Sequence, residues 1–213
     1  ILSTPYDISD ATLVADDGIN WRTYKEPWGS SNTTMLPQTI RFNNDGTKMY
    51  LTEAVINTTD PQESVGVVQY NLATPFVPSS TTTVQVLNLR AQFPKTNKAI
   101  HAMNFDDDGT RMYVSAGNFN EETDHPHAVY ELSIPFEISS AKHVGTFNFV
   151  NASGGGVRAV GGVFSDDGNK YYMTTGSGNS VVEYTLTCPF GLVICELSLI
   201  HISEPTSHRL ISY

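Results

Sequence analysis

The sequence predicts an all-β protein built from about three tandem, four-stranded antiparallel units. Three observations predict it. A ten-residue string occurs three times: Phe42-Asn43-Asn44-Asp45-Gly46-Thr47-Lys48-Met49-Tyr50-Leu51, Phe105-Asp106-Asp107-Asp108-Gly109-Thr110-Arg111-Met112-Tyr113-Val114, and Phe164-Ser165-Asp166-Asp167-Gly168-Asn169-Lys170-Tyr171-Tyr172-Met173. A second string follows each copy: Tyr70-Asn71-Leu72-Ala73-Thr74-Pro75-Phe76, Tyr130-Glu131-Leu132-Ser133-Ile134-Pro135-Phe136, and Tyr184-Thr185-Leu186-Thr187-Cys188-Pro189-Phe190. Apolar residues alternate over short runs, and no helical period stands out. The Asp-Gly pairs lie 63 and 59 positions apart, and self-similarity at such a spacing decides the architecture before any single residue does.

Each unit parses into four strands. Strand a is the apolar run before Asp-Gly, as in 100–105. The Asp-Gly pair suits a tight hairpin, because glycine tolerates positive φ and aspartate tolerates it better than most residues. Strand b follows at 48–52 and 111–115. Strand c alternates: Val68, Tyr70 and Leu72 point one way, Gln69 and Asn71 the other. Proline then ends strand c, since it has no N–H for the ladder. Strand d is expected at 82–89 and 142–149.

Four antiparallel strands per unit, repeated in tandem, is the pattern of β-propeller blades. The Phe-x-x-Asp-Gly-Thr-Lys-Met-Tyr-Leu string resembles the YVTN-type and lactonase-like propeller repeats, whose consensus runs roughly Phe-Ser-Pro-Asp-Gly-Lys-x-Leu-Tyr-Val. The resemblance spans about residues 1–193. It departs at Asn44, Asp107 and Asp166, where the family often has proline. It implies a β-propeller fragment of about three four-stranded antiparallel blades. It implies little about activity, because propellers host many unrelated functions.

The units divide as 1–20 (the end of a preceding blade), 37–90, 99–150 and 158–196, the last truncated. Residues 197–213 resemble the translation of a sequencing adapter, which marks them as a non-native tail on a metagenomic reading frame. An arc of about three blades leaves a face open at each end. The chain alone is therefore expected to fold weakly or to aggregate.

Composition narrows the function classes. The chain carries 22 acids against 12 bases, a net charge of −10, with no basic cluster, so nucleic-acid binding is not expected. No apolar stretch approaches the length of a membrane span. Only 16% of residues are charged, and Thr, Ser and Asn are plentiful, which suits an extracellular or virion-associated β protein. Cys188 sits where other units have Thr74 and Ile134 and reads as a half-buried structural thiol; a disulfide with Cys195 stays open.

Topology places the candidate site. In a propeller blade the a–b and c–d turns share one face of the disc, and the b–c and d–a connections share the other. The long, variable segments are all b–c (53–66, 117–127, 176–180) or d–a (17–36, 90–99, 150–158). One loop rim therefore collects them, and loops on a rigid scaffold are the usual home of binding residues. Its candidates are Trp21, Tyr24 and Trp28, which could stack on sugar rings or a partner surface. Gln38 and Arg158 are further rim candidates, and His101 reads as a rim or channel-lining polar residue. Glu121, Asp124, His125 and His127 form an acid–imidazole cluster in one b–c loop. Carboxylate and imidazole suit a divalent cation, but the spacing matches no named site, and no metal or other cofactor is expected. No Gly-x-Ser-x-Gly elbow and no phosphate loop occurs. The expected function is a non-enzymatic repeat module that binds protein or glycan at the rim, completed by missing blades of the same polypeptide. The alternative is a lactonase-like or glycan-processing hydrolase acting at the channel mouth, with His101 as a base.

Overall fold

The structure, a computed structural model, describes residues 33–57, 65–89, 91–93, 98–118, 126–149, 159–175 and 180–192. Within them run eleven strands: β1 (Thr33–Phe42), β2 (Lys48–Asn57), β3 (Val65–Leu72), β4 (Thr81–Asn88), β5 (Lys98–Phe105), β6 (Arg111–Asn118), β7 (Pro126–Leu132), β8 (Ala141–Asn148), β9 (Ala159–Phe164), β10 (Lys170–Thr175) and β11 (Ser180–Thr185). Every pairing among them is antiparallel. They form two four-stranded sheets, β1-β2-β3-β4 and β5-β6-β7-β8, and one three-stranded sheet, β9-β10-β11. The strands after Asp-Gly run further than expected, since β2 extends to Asn57 and β6 to Asn118. The proposed preceding blade (1–20) and adapter-like tail (197–213) lie outside the described residues.

The Asp-Gly turn is a five-residue connection rather than a tight two-residue hairpin, and its chemistry explains the repeated string. Gly46 N–H donates to the Asn43 carbonyl at 3.1 Å, and the glycine takes φ +71°. Asp45 Oδ1 accepts from the Thr47 N–H at 2.9 Å and from its hydroxyl at 2.6 Å. Asp108 and Thr110 repeat these bonds at 3.0 and 2.6 Å. In the third copy Asn169 donates to Asp167 instead. These bonds hold the carboxyls of Asp45 and Asp108 below the ordinary range, and the Ser165 hydroxyl, donating at 2.6 Å, together with Asn169 brings Asp167 to about 2. The first turn position must supply an acceptor: Asn43 Oδ1, Asp106 Oδ1 and Ser165 Oγ each take the N–H five residues on, at 2.9 Å. Asp106-Asp107-Asp108 is thus turn chemistry.

The second string serves the first. Phe76, Phe136 and Phe190 adopt φ of 60°, 59° and 55°, a region that costs an ordinary residue about 1 kcal/mol or more. That backbone brings the Phe N–H onto the carbonyl of Gly46, Gly109 or Gly168, at 2.8–2.9 Å. It also lays the ring where a Cβ on that glycine would project. Each ring then packs on the Phe that ends strand a, with centroids 5.1–5.4 Å apart. The two strings are therefore one physical unit at the turn end of each sheet.

The sheets pack face to face in chain order, with first strands adjacent: β5 lies against both β1 and β9. The first–second interface buries Tyr50, Val67 and Leu89 against Met103, Met112, Val114 and Tyr130. The second–third interface is aromatic, with Phe149, Tyr171 and Tyr184 at its centre. The outer face of the first sheet, with Met49, Val68 and Tyr70, is buried too. On the third sheet Val163 and Val181 stand 53% and 66% exposed. On the first sheet Ile40 is likewise 49% exposed. Cys188 is half-buried as expected but disulfide-bonded, so it is not a thiol.

Candidate functional site

Three sequence-predicted site residues fall within the described chain. Gln38 is half-buried on β1, and His101 and His127 are buried on β5 and β7. Trp21, Tyr24, Trp28, Glu121, Asp124, His125 and Arg158 lie outside the described residues. His127 was placed in a loop by sequence. It instead follows the first residue of β7 and faces a sheet interface, because Pro126 already pairs with Asn148.

Gln38 and His101 share a structural peculiarity. The β1–β2 register slips between Pro37 and Thr39, and the β5–β6 register slips between Ile100 and Ala102. The β9–β10 register slips at the equivalent place, between Ala159 and Gly161. Gln38, His101 and Val160 are thus the extra residues of three β-bulges on adjacent first strands. A bulge re-aims a side chain and frees backbone groups from the ladder. At the β5 bulge the preceding sheet satisfies such groups: the Thr39 hydroxyl donates to the His101 carbonyl at 2.9 Å, and Thr52 donates to the Ile100 carbonyl at 3.1 Å. No signal for the bulges exists in the sequence beyond the alignment of these three positions.

A polar seam crosses all three sheets beside the bulges. Arg41 Nη2 donates to Asn104 Oδ1 at 3.4 Å, and Asn104 Nδ2 donates to the Gly162 carbonyl at 2.8 Å. Burial pushes the Tyr171 hydroxyl up to about 12, opposed by Ser115, Arg41 and Asn104 beside it. Gly162 is required there, since a Cβ would collide with the Tyr171 hydroxyl. Ser115 Oγ lies 2.7 Å from His127 Nδ1. Phe147 and Phe149 pack on the imidazole, with centroids 5.3 and 4.6 Å away. The serine and the imidazole are each 3% exposed, so this pair has no route to a substrate as placed. Asn104 and Tyr171 carry no signal in the sequence, because their partners lie in other units, and Ser115 carries none because His127 reaches it only across the β6–β7 pairing.

A second feature sits at the opposite, turn end of the second sheet. Thr110, Arg111, Glu131, Leu132, Ser133, Ser140 and Lys142 line an open cleft of roughly 490 Å³. Among the described residues no cluster of His, Cys, Asp and Glu could hold a metal ion, and no helix is long and apolar enough to cross a membrane.

No family model and no curated protein matches the chain. Among solved structures it is similar to one described as "a putative hydrolase" from Bacteroides ovatus, at 12% identity and a TM-score of 0.41. The match covers 75% of this chain and 43% of that one. The chain thus spans under half the length of that protein.

Proposed function

We propose that the chain is part of a β-propeller of the YVTN or lactonase-like kind, acting as a non-enzymatic scaffold that binds protein or glycan through its b–c and d–a loop rim. The observation that carries this reading is the row of bulges on β1, β5 and β9. It supports first strands arranged around a common axis, with further blades of the same polypeptide completing the ring. The histidines suited to catalysis support the scaffold role over the hydrolase. His101 and His127 are each 3% exposed, and His127 is covered by two phenylalanines. The disulfide-bonded Cys188 supports an extracellular or virion-surface location, where such bonds persist.

The test combines a glycan array with a lactone-hydrolysis assay on the full chain. Binding on the array that Trp21→Ala and Trp28→Ala together abolish is the expected result, with hydrolysis at background. Hydrolysis above background that is lost in His101→Ala would instead establish the enzyme reading.

A further inference from the structure

The cleft on the second sheet occupies a place that the preceding interface fills with a carboxylate. In the first sheet Lys48 opens strand b, and its Nζ meets Glu137 Oε2 at 2.6 Å. Gln69 Nε2 donates to both oxygens of the same carboxylate at 3.2 Å. Glu137 comes from the second sheet, directly after the corner residue Phe136. In the next interface Arg111 stands where Lys48 stood, and the residue after corner Phe190 is Gly191. The cation is kept and the carboxylate is gone. Arg111, Glu131 and Lys142 form a cross-strand row, since Arg111 pairs with Glu131 and Glu131 with Lys142. Among the described residues none of the three makes an ion pair within 4 Å. Two cations and one acid leave the cleft net positive.

We propose that this cleft binds a carboxylate-bearing ligand, which takes with Arg111 and Lys142 the place that Glu137 takes with Lys48. Guanidinium engages carboxylate through two parallel N–H bonds, and the Ser133 hydroxyl on the same wall suits a hydroxyl of a sugar acid, whereas the hydroxyls of Thr110 and Ser140 are already bonded within their own turns. Glu131 disfavours a polyanion and limits the site to one acidic group. The site is independent of the loop rim, at the other end of the strands.

The test titrates the full chain with acetate, glucuronate and glucose, read by amide and arginine side-chain NMR shifts. Glucuronate should shift the Arg111 side-chain resonance at millimolar concentration, and glucose should not. Equal binding of acetate would assign the interaction to the carboxylate alone; tighter glucuronate binding would assign it to a sugar acid. Arg111→Gln should weaken binding at least tenfold. Gly191→Glu should restore the internal ion pair, raise the melting temperature and abolish glucuronate binding; Gly191 is not among the positive-φ glycines, so a side chain is tolerated. Neither acid shifting Arg111, or undiminished binding in a folded Gly191→Glu protein, would overturn the proposal.

Discussion

The two sheet–sheet interfaces of this protein share one lock and little else. In the first, Tyr50 of β2 donates to the Phe136 carbonyl at 2.5 Å; in the second, Tyr113 of β6 donates to the Phe190 carbonyl. Donor and acceptor occupy the same repeat positions, and burial pushes both phenols well above their ordinary range. Around that lock the interfaces diverge. The first is polar at its turn end, where Glu137 gathers Lys48 and Gln69, and Gln69 Oε1 accepts from the Ile138 N–H at 2.9 Å. The second keeps its polar contacts near the first strands, through Asn104 and Ser115, and fills the remainder with aromatic rings. The tyrosine–carbonyl bond repeats, whereas Thr39 and Thr52, which also donate to carbonyls of the next sheet, give way to Ala102 and Ser115 in the second unit. Positions bound to side chains drift, because the partner can change or be lost.

The largest effect should come from the corner that carries the first interface's lock. Gly109→Ala places a methyl group against the Phe136 ring and forces a β-carbon into positive φ. The ring must move, and with it the carbonyl that receives Tyr50 and the packing on Phe105. A loss on the order of 3 kcal/mol is expected in urea unfolding. A loss below about 1 kcal/mol would mean that the corner is not a rigid unit.

Separating the shared lock from the private contacts needs three variants. Tyr50→Phe and Tyr113→Phe should each cost about 1–3 kcal/mol, because each leaves a part-buried carbonyl without its donor. Glu137→Gln touches only the first interface and should cost about 1 kcal/mol at pH 7, since the pair is partly exposed. Its pH dependence identifies it. Burial would raise the Glu137 carboxyl, but the bonds from Lys48 and Gln69 outweigh burial and hold it below its ordinary value. The stabilisation is therefore present above the unfolded-state pKa and lost as pH falls through the folded one. Wild type and Glu137→Gln should converge in stability once pH has fallen through that folded-state value. A constant gap down to that pH would assign the cost to packing.

Much of this frame was legible in the sequence, and the reason is locality. The Asp-Gly-Thr turn closes its bonds within five residues, so its pattern is written in adjacent letters. Alternation along Val68-Gln69-Tyr70 correctly put Gln69 opposite Val68 and Tyr70. The glycine–phenylalanine partnership was visible only as two separate strings, since about thirty residues divide Gly46 from Phe76 or fewer divide Gly109 from Phe136. The polar seam was not legible. Arg41, Asn104 and Gly162 are some sixty positions apart, and nothing in their neighbours says that they meet. His127 misled for the same reason: its acidic flank suggested a solvated loop, while Ser115 and Phe149, which fix its burial, come from elsewhere in the unit.

The smallest expected effect is also the one with the opposite sign. Asp106 opens the turn of the second unit, where the first unit has Asn43. Both side chains accept the N–H five residues on, and both contact the turn threonine hydroxyl at 3.2 Å. The asparagine donates to that hydroxyl through Nδ2, so the site needs an acceptor but no charge. Burial raises the Asp106 carboxyl above its ordinary value, and neighbouring Asp108 adds repulsion. A folded-state pKa above the unfolded one means the charged form is disfavoured in the fold. Its contribution to stability is therefore present below the unfolded pKa and lost as pH rises through the folded pKa. Asp106→Asn removes that loss and keeps the bonds its counterpart in the first unit already makes. The variant should unfold at a higher temperature at pH 7, by less than about 1 kcal/mol after allowance for solvent screening, and the gain should vanish near pH 3. A gain that persists at pH 3 would point to altered packing instead. A loss at pH 7 would show that the two turns are not interchangeable, and the likeness between the first and second units would stop at the backbone.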